Sequence, residues 1–367
     1  MGILGKRGIF STGASIGGGG GIITPSDNAF RVRFENEQEL SADLKIVRKL
    51  GISFENEMEL ESEILKFKAL GIQFENEQEL VSELSTGFTG ILDTYGGAAM
   101  AFSLRLLSST YTDALVRVQA YSGATLYGEA DVMPYLSGAD YVLDLNSTLE
   151  NLDATATGRG LTTSSTLGDL VDTGGSNYNG RVPNWYDQSG NGRDAVNATA
   201  SRMPQIVSSG ALILDNSKPC IQFDGVFDWL LAPLTASQPF TLFNLRKYNV
   251  NGTKIAISYG GGGGSYADVN VGGEFKSYYG AYVAFGTQNT NRGLWYSLAN
   301  GVSSAVGLDG ATVVTGNGGT GGATGTVSIG AGGSSFLANI NEQEIIIYDS
   351  NESANRSGIE ANINTFY

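Results

Sequence analysis

Any general acid–base chemistry in this chain falls first to carboxylates, because its 367 residues contain no histidine and a single cysteine, Cys220. Candidate acids in strand-like or turn-rich surroundings are Asp187, Asp194, Asp224, Asp228, Glu274, Glu342 and Glu344. Two carboxyl groups about 5–10 Å apart are the usual equipment for cleaving a glycosidic bond. Glu342 and Glu344 stand two apart in "NEQEIII", a spacing that puts both on one face of a strand. "NEQEIII" holds no third acid after them, so the spacing alone makes a weak catalytic pair. Asp187 and Asp194 in "NWYDQSGNGRDAV", or Asp224 and Asp228 in "FDGVFDW", would offer oxygen ligands to Ca²⁺. Aspartates that cap turns have the same pattern, so both readings stay open.

A second set of residues suits binding without turnover. Sugars pack on exposed aromatic rings, and their hydroxyls bond to Asp, Asn and backbone groups. "GGGGGSYADVN", "KSYYGAY" and "GTQNTNRG" offer Tyr266, Tyr278, Tyr279, Tyr282, Asn289 and Asn291 as glycan contacts. Trp229, Trp295 and Tyr296 are further aromatic candidates in the same half of the chain. Trp185 and Trp229 lie inside strand-like runs and are expected in the core. Cys220, in "PCIQF", reads as a small core residue, and alone it forms no internal disulfide.

Composition removes several functions. Without histidine there is no Ser-His-Asp or Cys-His catalysis and no imidazole-bound metal. A formal net charge of −15 disfavours nucleic acid and anionic membrane surfaces as partners. No run approaches the roughly 20 apolar residues of a membrane-spanning helix, so no membrane insertion is expected. The opening residues lack the apolar core of a secretory signal.

The elements that would position these groups fall into three segments. Residues 1–30, with five glycines at 17–21, read as a flexible arm. Residues 31–88 carry a 20-residue repeat, with "FENEQEL", "FENEMEL" and "FENEQEL" starting at Phe34, Phe54 and Phe74. Each unit pairs an N-cap asparagine with a glutamate three residues on: Asn36 with Glu39, Asn56 with Glu59, Asn76 with Glu79. Leu40, Leu44 and Val47 keep the spacing of one helix face, and Gly51 ends that unit. Such units bury their apolar stripe only against neighbours, which suits an oligomerisation or adaptor module.

Residues 89–367 are expected to be mainly β. Short apolar runs such as "CIQFDG", "FTLFNL", "KIAISYG" and "EIIIYDS" alternate with glycine and asparagine turns, the pattern of an antiparallel sandwich. Helices are expected around Ala98–Leu107, at Thr166–Val171 and over "NRSGIEANINTFY", where Ile359 and Ile363 share a face.

"LDTYGGAAMAFSLRLLSSTYT" followed by "WYDQSGNGRDA" resembles the opening of the catalytic module of α-L-arabinofuranosidase B. "IQFDGVFDWL", "INEQEIIIYDS" and the C-terminal helix resemble laminin-G and concanavalin A-like sandwich domains. Together they are similar to surface domains of phage virion proteins. The resemblance covers residues 91–367 and implies a jelly-roll, concanavalin A-like sandwich. It also implies a head fibre, spike or tail-associated protein that is assembled in the bacterial cytoplasm and resides in the virion. Its partners would then be other virion proteins through the arm, further copies of itself as a homotrimer, and a host surface glycan. A glycoside hydrolase of α-L-arabinofuranosidase type and a ligand-free decoration protein are the alternatives. No nucleophile or acid of the hydrolase family maps onto a particular residue, so an enzyme is the less favoured reading.

Overall fold

Alternation of apolar and polar residues, broken by positive-φ turn glycines such as Gly123, Gly190 and Gly272, gives antiparallel strands almost throughout. The computed structural model describes residues 88–137, 140–173, 175–260, 265–332 and 336–367. Residues 89–135 and 140–367 form one compact unit. The expected arm and 20-residue repeats lie outside the described residues. Among the described residues no helix is long and apolar enough to cross a membrane.

Most of the described strands join one large sheet whose pairings are antiparallel and whose two halves fold over a shared core. One half centres on β1 (Ala98–Ser103), β2 (Phe240–Tyr248), β7 (Arg292–Ala299) and β8 (Asn339–Tyr348). In it β8 lies between β1 and β2, and β2 pairs β7 on its other edge. The other half carries β3 (Lys254–Tyr259), β4 (Ser265–Val271), β5 (Glu274–Tyr278) and β6 (Tyr282–Thr287), paired in that order. Phe240 of β2 meets Tyr259 of β3 edge-on at 5.1 Å, which fixes the two halves face to face. This is the mainly β antiparallel sandwich expected from the sequence.

A second core covers the outer face of β2, β7 and β8. Helix α1 (Arg356–Phe366) lays Ile359, Ile363 and Phe366 on Phe243, Ile346 and Tyr348. Both β2 and β8 are therefore buried on two faces, which is why "LF" in "FTLFNL" and "IIIY" place apolar residues at consecutive positions. Ala98–Ser103 shares that position and is a strand, not the expected helix. Its helix-favouring residues are overridden by pairing with β8 and by burial of all six side chains. The other two expected helices form, at Leu167–Val171 with Thr166 as N-cap and at α1.

Cys220 and Trp185 are fully buried, as expected; the Trp185 Nε1–H donates to the Ser103 carbonyl. Trp229 is not in the core. It is half-buried, with the Arg202 guanidinium 4.6 Å over its ring, beside a loop tip that exposes Val226 and Phe227.

Candidate functional site

The candidate acids are placed so as to separate them. Along the β2–β8 pairing Leu245 faces Glu344 and Arg246 faces Glu342, so Gln343 is an extra residue on β8. This bulge turns the two glutamates to opposite faces, overturning the same-face expectation from their spacing. Glu344 enters the helix-side core, where Arg105 binds it through Nε at 2.7 Å and Nη2 at 2.9 Å. The Ser103 hydroxyl donates to the same carboxylate. Glu342 points between the sheet halves toward Asn244, Asp268 and Arg246. Arg246 and the Tyr248 hydroxyl bind Asp268 there, while Glu342 Oε2 has no partner. Burial, with Asp268 nearby, pushes the Glu342 carboxyl well above the usual range and favours its neutral form. Neither glutamate reaches solvent.

The "DQSGNG" loop uses up its own carboxylates. Asp187 Oδ1 accepts from the Ala101 and Ser189 amides, and Oδ2 from the Ser189 hydroxyl and the Arg193 amide. Asp194 accepts the Asp187 amide at 2.9 Å, and burial raises its carboxyl above the ordinary value. Four protein donors saturate Asp187, so the Ca²⁺ expectation for Asp187 and Asp194 is not supported by their geometry. Asp224 and Asp228 are organised similarly. Asp224 Oδ1 accepts the amides of Val226, Phe227 and Asp228, while Asp228 Oδ2 accepts that of Asp224. Burial, with the Asp224 charge adding to it, pushes the Asp228 carboxyl up to about 7. Among the described residues no three His, Cys, Asp or Glu side chains gather in a metal-binding group.

The tyrosines divide differently. Tyr266 of β4 lies opposite Tyr278 of β5, and Tyr278 opposite Tyr282 of β6, so the three share the outer face of the sheet. Their ring centroids are 5.7 and 4.8 Å apart, with the planes tilted by 30° and 49°. Tyr266 and Tyr278 are half-buried and Tyr282 is 50% exposed. Among the described residues none of these three hydroxyls makes a hydrogen bond. Lys276, two residues before Tyr278 on the same face, lies 5.4 Å from the Tyr282 ring and pairs with Glu274 at 2.8 Å. Sequence reading missed that flank, although the period-two spacing of Lys276 and Tyr278 was the signal for it.

Tyr279 does not belong to this ladder. It is fully buried, with its hydroxyl 2.6 Å from Ser297 Oγ and its ring edge-on to Phe240. Trp295 and Tyr296 are likewise core residues, and Trp295 Nε1–H donates to the Ala267 carbonyl. Asn289 accepts the Asn291 amide in the loop after β6, a strand's length from Tyr282. The structure therefore brings Tyr266, Tyr278 and Tyr282 together, and leaves Tyr279, Asn289 and Asn291 outside.

No family model matches the chain, and no curated protein matches it. Among solved structures it is similar to a GH54 α-L-arabinofuranosidase soaked with a cyclic sulfate inhibitor, with a TM-score of 0.50 and 14% identity. That alignment covers 72% of this chain and 62% of the other. What the two share is the fold. An arabinofuranosidase complexed with arabinofuranosyl-α-1,2-xylobiose (TM-score 0.49, 15% identity, 72% and 62% covered) is also found. So is the Trypanosoma rangeli sialidase with the inhibitor DANA (TM-score 0.36, 14% identity, 65% and 42% covered). The chain thus spans less than two thirds of the length of these structures.

Proposed function

We propose that the sandwich is a carbohydrate-binding module, with Tyr266, Tyr278 and Tyr282 as its contact surface. The observation that supports this most is the ladder itself: three aromatic rings on the outer face, with hydroxyls that no described residue bonds. Buried or half-buried phenols normally find a partner within the protein. Here the rings are tilted against one another rather than stacked flat, and the half-exposed Tyr282 is available to sugar C–H groups. Binding rather than cleavage is favoured because Glu342 and Glu344 face opposite ways and are both buried.

In this reading residues 1–30 and 31–88 attach and oligomerise the chain within a phage particle, as a homotrimeric fibre, spike or tail-associated protein. The sandwich then meets glycans on the host surface. The support for this part is the sequence pattern alone.

Screening the full chain on an array of bacterial surface and plant-wall glycans tests the binding, followed by the same screen with Tyr278→Ala and Tyr282→Ala. Retention of at least one glycan by the wild type and its loss in both variants is expected. A blank array for the wild-type chain would overturn the proposal. Mass spectrometry of purified particles tests the virion placement, and absence of the chain from them would refute it.

A further inference from the structure

A cavity of about 280 Å³ opens where three of the sequence's motifs meet. "LDTYGG" contributes Asp93 and Gly97, "SSTYT" contributes Thr110 and Tyr111, and "DQSG" contributes Ser189 and Gly190. Its size is at the lower end of ligand pockets, several times the volume of one water molecule.

The space is held open by the backbone. Gly97 and Gly190 have φ of +83° and +84°, and a Cβ built on either would meet nothing within 4 Å. The walls around them are fixed. Gln188 accepts the Leu107 amide and donates to the carbonyls of Ser103 and Arg105. Asn191 Nδ2 donates to the carbonyls of Ala98 and Ala99, tying the loop to β1.

Charge on the wall is already committed. Asp93 accepts from the Gly90 amide, the Ser108 hydroxyl and the Ser109 amide, which saturates its oxygens. No lysine or arginine side chain lines the cavity. An ammonium ligand would therefore find no spare carboxylate, and a carboxylate or phosphate no cation. What remains is neutral. Thr110 Oγ1 touches only Ser108 Oγ, and the Tyr111 hydroxyl, which donates to the Ala114 carbonyl, keeps its acceptor capacity.

We infer that this cavity binds a single neutral sugar ring or comparable polyol, through the Thr110 hydroxyl and against Tyr111. The pocket shares no residue with the tyrosine ladder, so it would act as a second, separate carbohydrate subsite.

Saturation-transfer NMR on the full chain with free L-arabinose, D-galactose and D-glucose at tens of millimolar tests the inference. At least one sugar should give transfer signals. Thr110→Val, which keeps the shape and removes the hydroxyl, should weaken that binding roughly five- to tenfold. Thr110→Trp, which fills the space, should abolish it, and the dependence on Thr110 should persist in a Tyr282→Ala background. If Thr110→Trp fails to fold, Thr110→Val carries the test. The inference is overturned if none of the three sugars gives a signal, or if binding is unaffected by Thr110→Val. Loss of the signal in Tyr282→Ala would also overturn it, by placing the sugar on the ladder instead.

Discussion

The "DQSGNG" loop and the tyrosine ladder are both rich in hydrogen-bonding groups, and they use them in opposite ways. Asp187 directs both oxygens inward to four donors that hold the loop to β1 and to itself. The ladder carries three hydroxyls on its outer face and bonds none of them within the described protein. A polar group whose partners are all internal contributes to the fold, and removing it leaves buried donors stranded. A polar group with no internal partner on an exposed face contributes little to the fold and is available to a ligand. Density of polar residues in the sequence does not separate the two; the partner list does.

This contrast sets an order of expected effects. The largest belongs to Glu344, whose two hydrogen bonds to Arg105 are fully buried. Glu344→Gln should cost roughly 3–5 kcal/mol of stability, because Arg105 keeps its charge without a counterion. Glu342→Gln should cost far less or stabilise, since burial pushes that carboxyl toward its neutral form and one of its oxygens has no partner. Urea denaturation of the two variants checks the pair, and equal losses would break the distinction between them.

Asp187→Ala should come next, at roughly 3 kcal/mol, because four donors lose one acceptor group. Thermal melting reads this, and an unchanged midpoint would mean the loop is held by other contacts. An effect of comparable ceiling, confined to one pH window, is expected from Asp228. Its pKa is raised to about 7 in the fold against an ordinary value of 3.8, so the fold favours its protonated form. Its contribution is fully present below pH ~4 and is lost as pH rises to about 7, at no more than about 1.4 kcal/mol per pH unit. Asp228→Asn should flatten that part of the stability–pH curve, and an identical slope in the variant would contradict the assignment.

Much of the described fold was legible in the sequence because burial on two faces puts apolar residues at consecutive positions, as in "IIIY" of β8. Alternation and turn residues marked many of the remaining strands. The C-terminal helix was legible from Ile359 and Ile363. Ala98–Ser103 was not, because a short run of alanine, methionine and phenylalanine buried on both sides suits either a helix or a strand. The Glu342–Glu344 error has one cause. A single inserted residue at Gln343 reverses the facing of everything before it, and nothing in "NEQEIII" signals the insertion. In the site, Tyr278 and Tyr279 are adjacent, so only one of them can face outward on β5. The sequence named both, and pairing with Tyr266 and Tyr282 chooses Tyr278. Asn289 and Asn291, named with the tyrosines as contacts, form a turn of their own beyond β6.

The smallest stability effect and the largest binding effect should fall on the same residues. Titration of the glycan retained by the full chain into wild type and into the Tyr278→Ala, Tyr282→Ala double variant, with a melting curve for each, tests the central claim most directly. The account predicts a loss of affinity of tenfold or more, about 1.4 kcal/mol, with the melting midpoint nearly unchanged. Wild-type affinity in the double variant would contradict it.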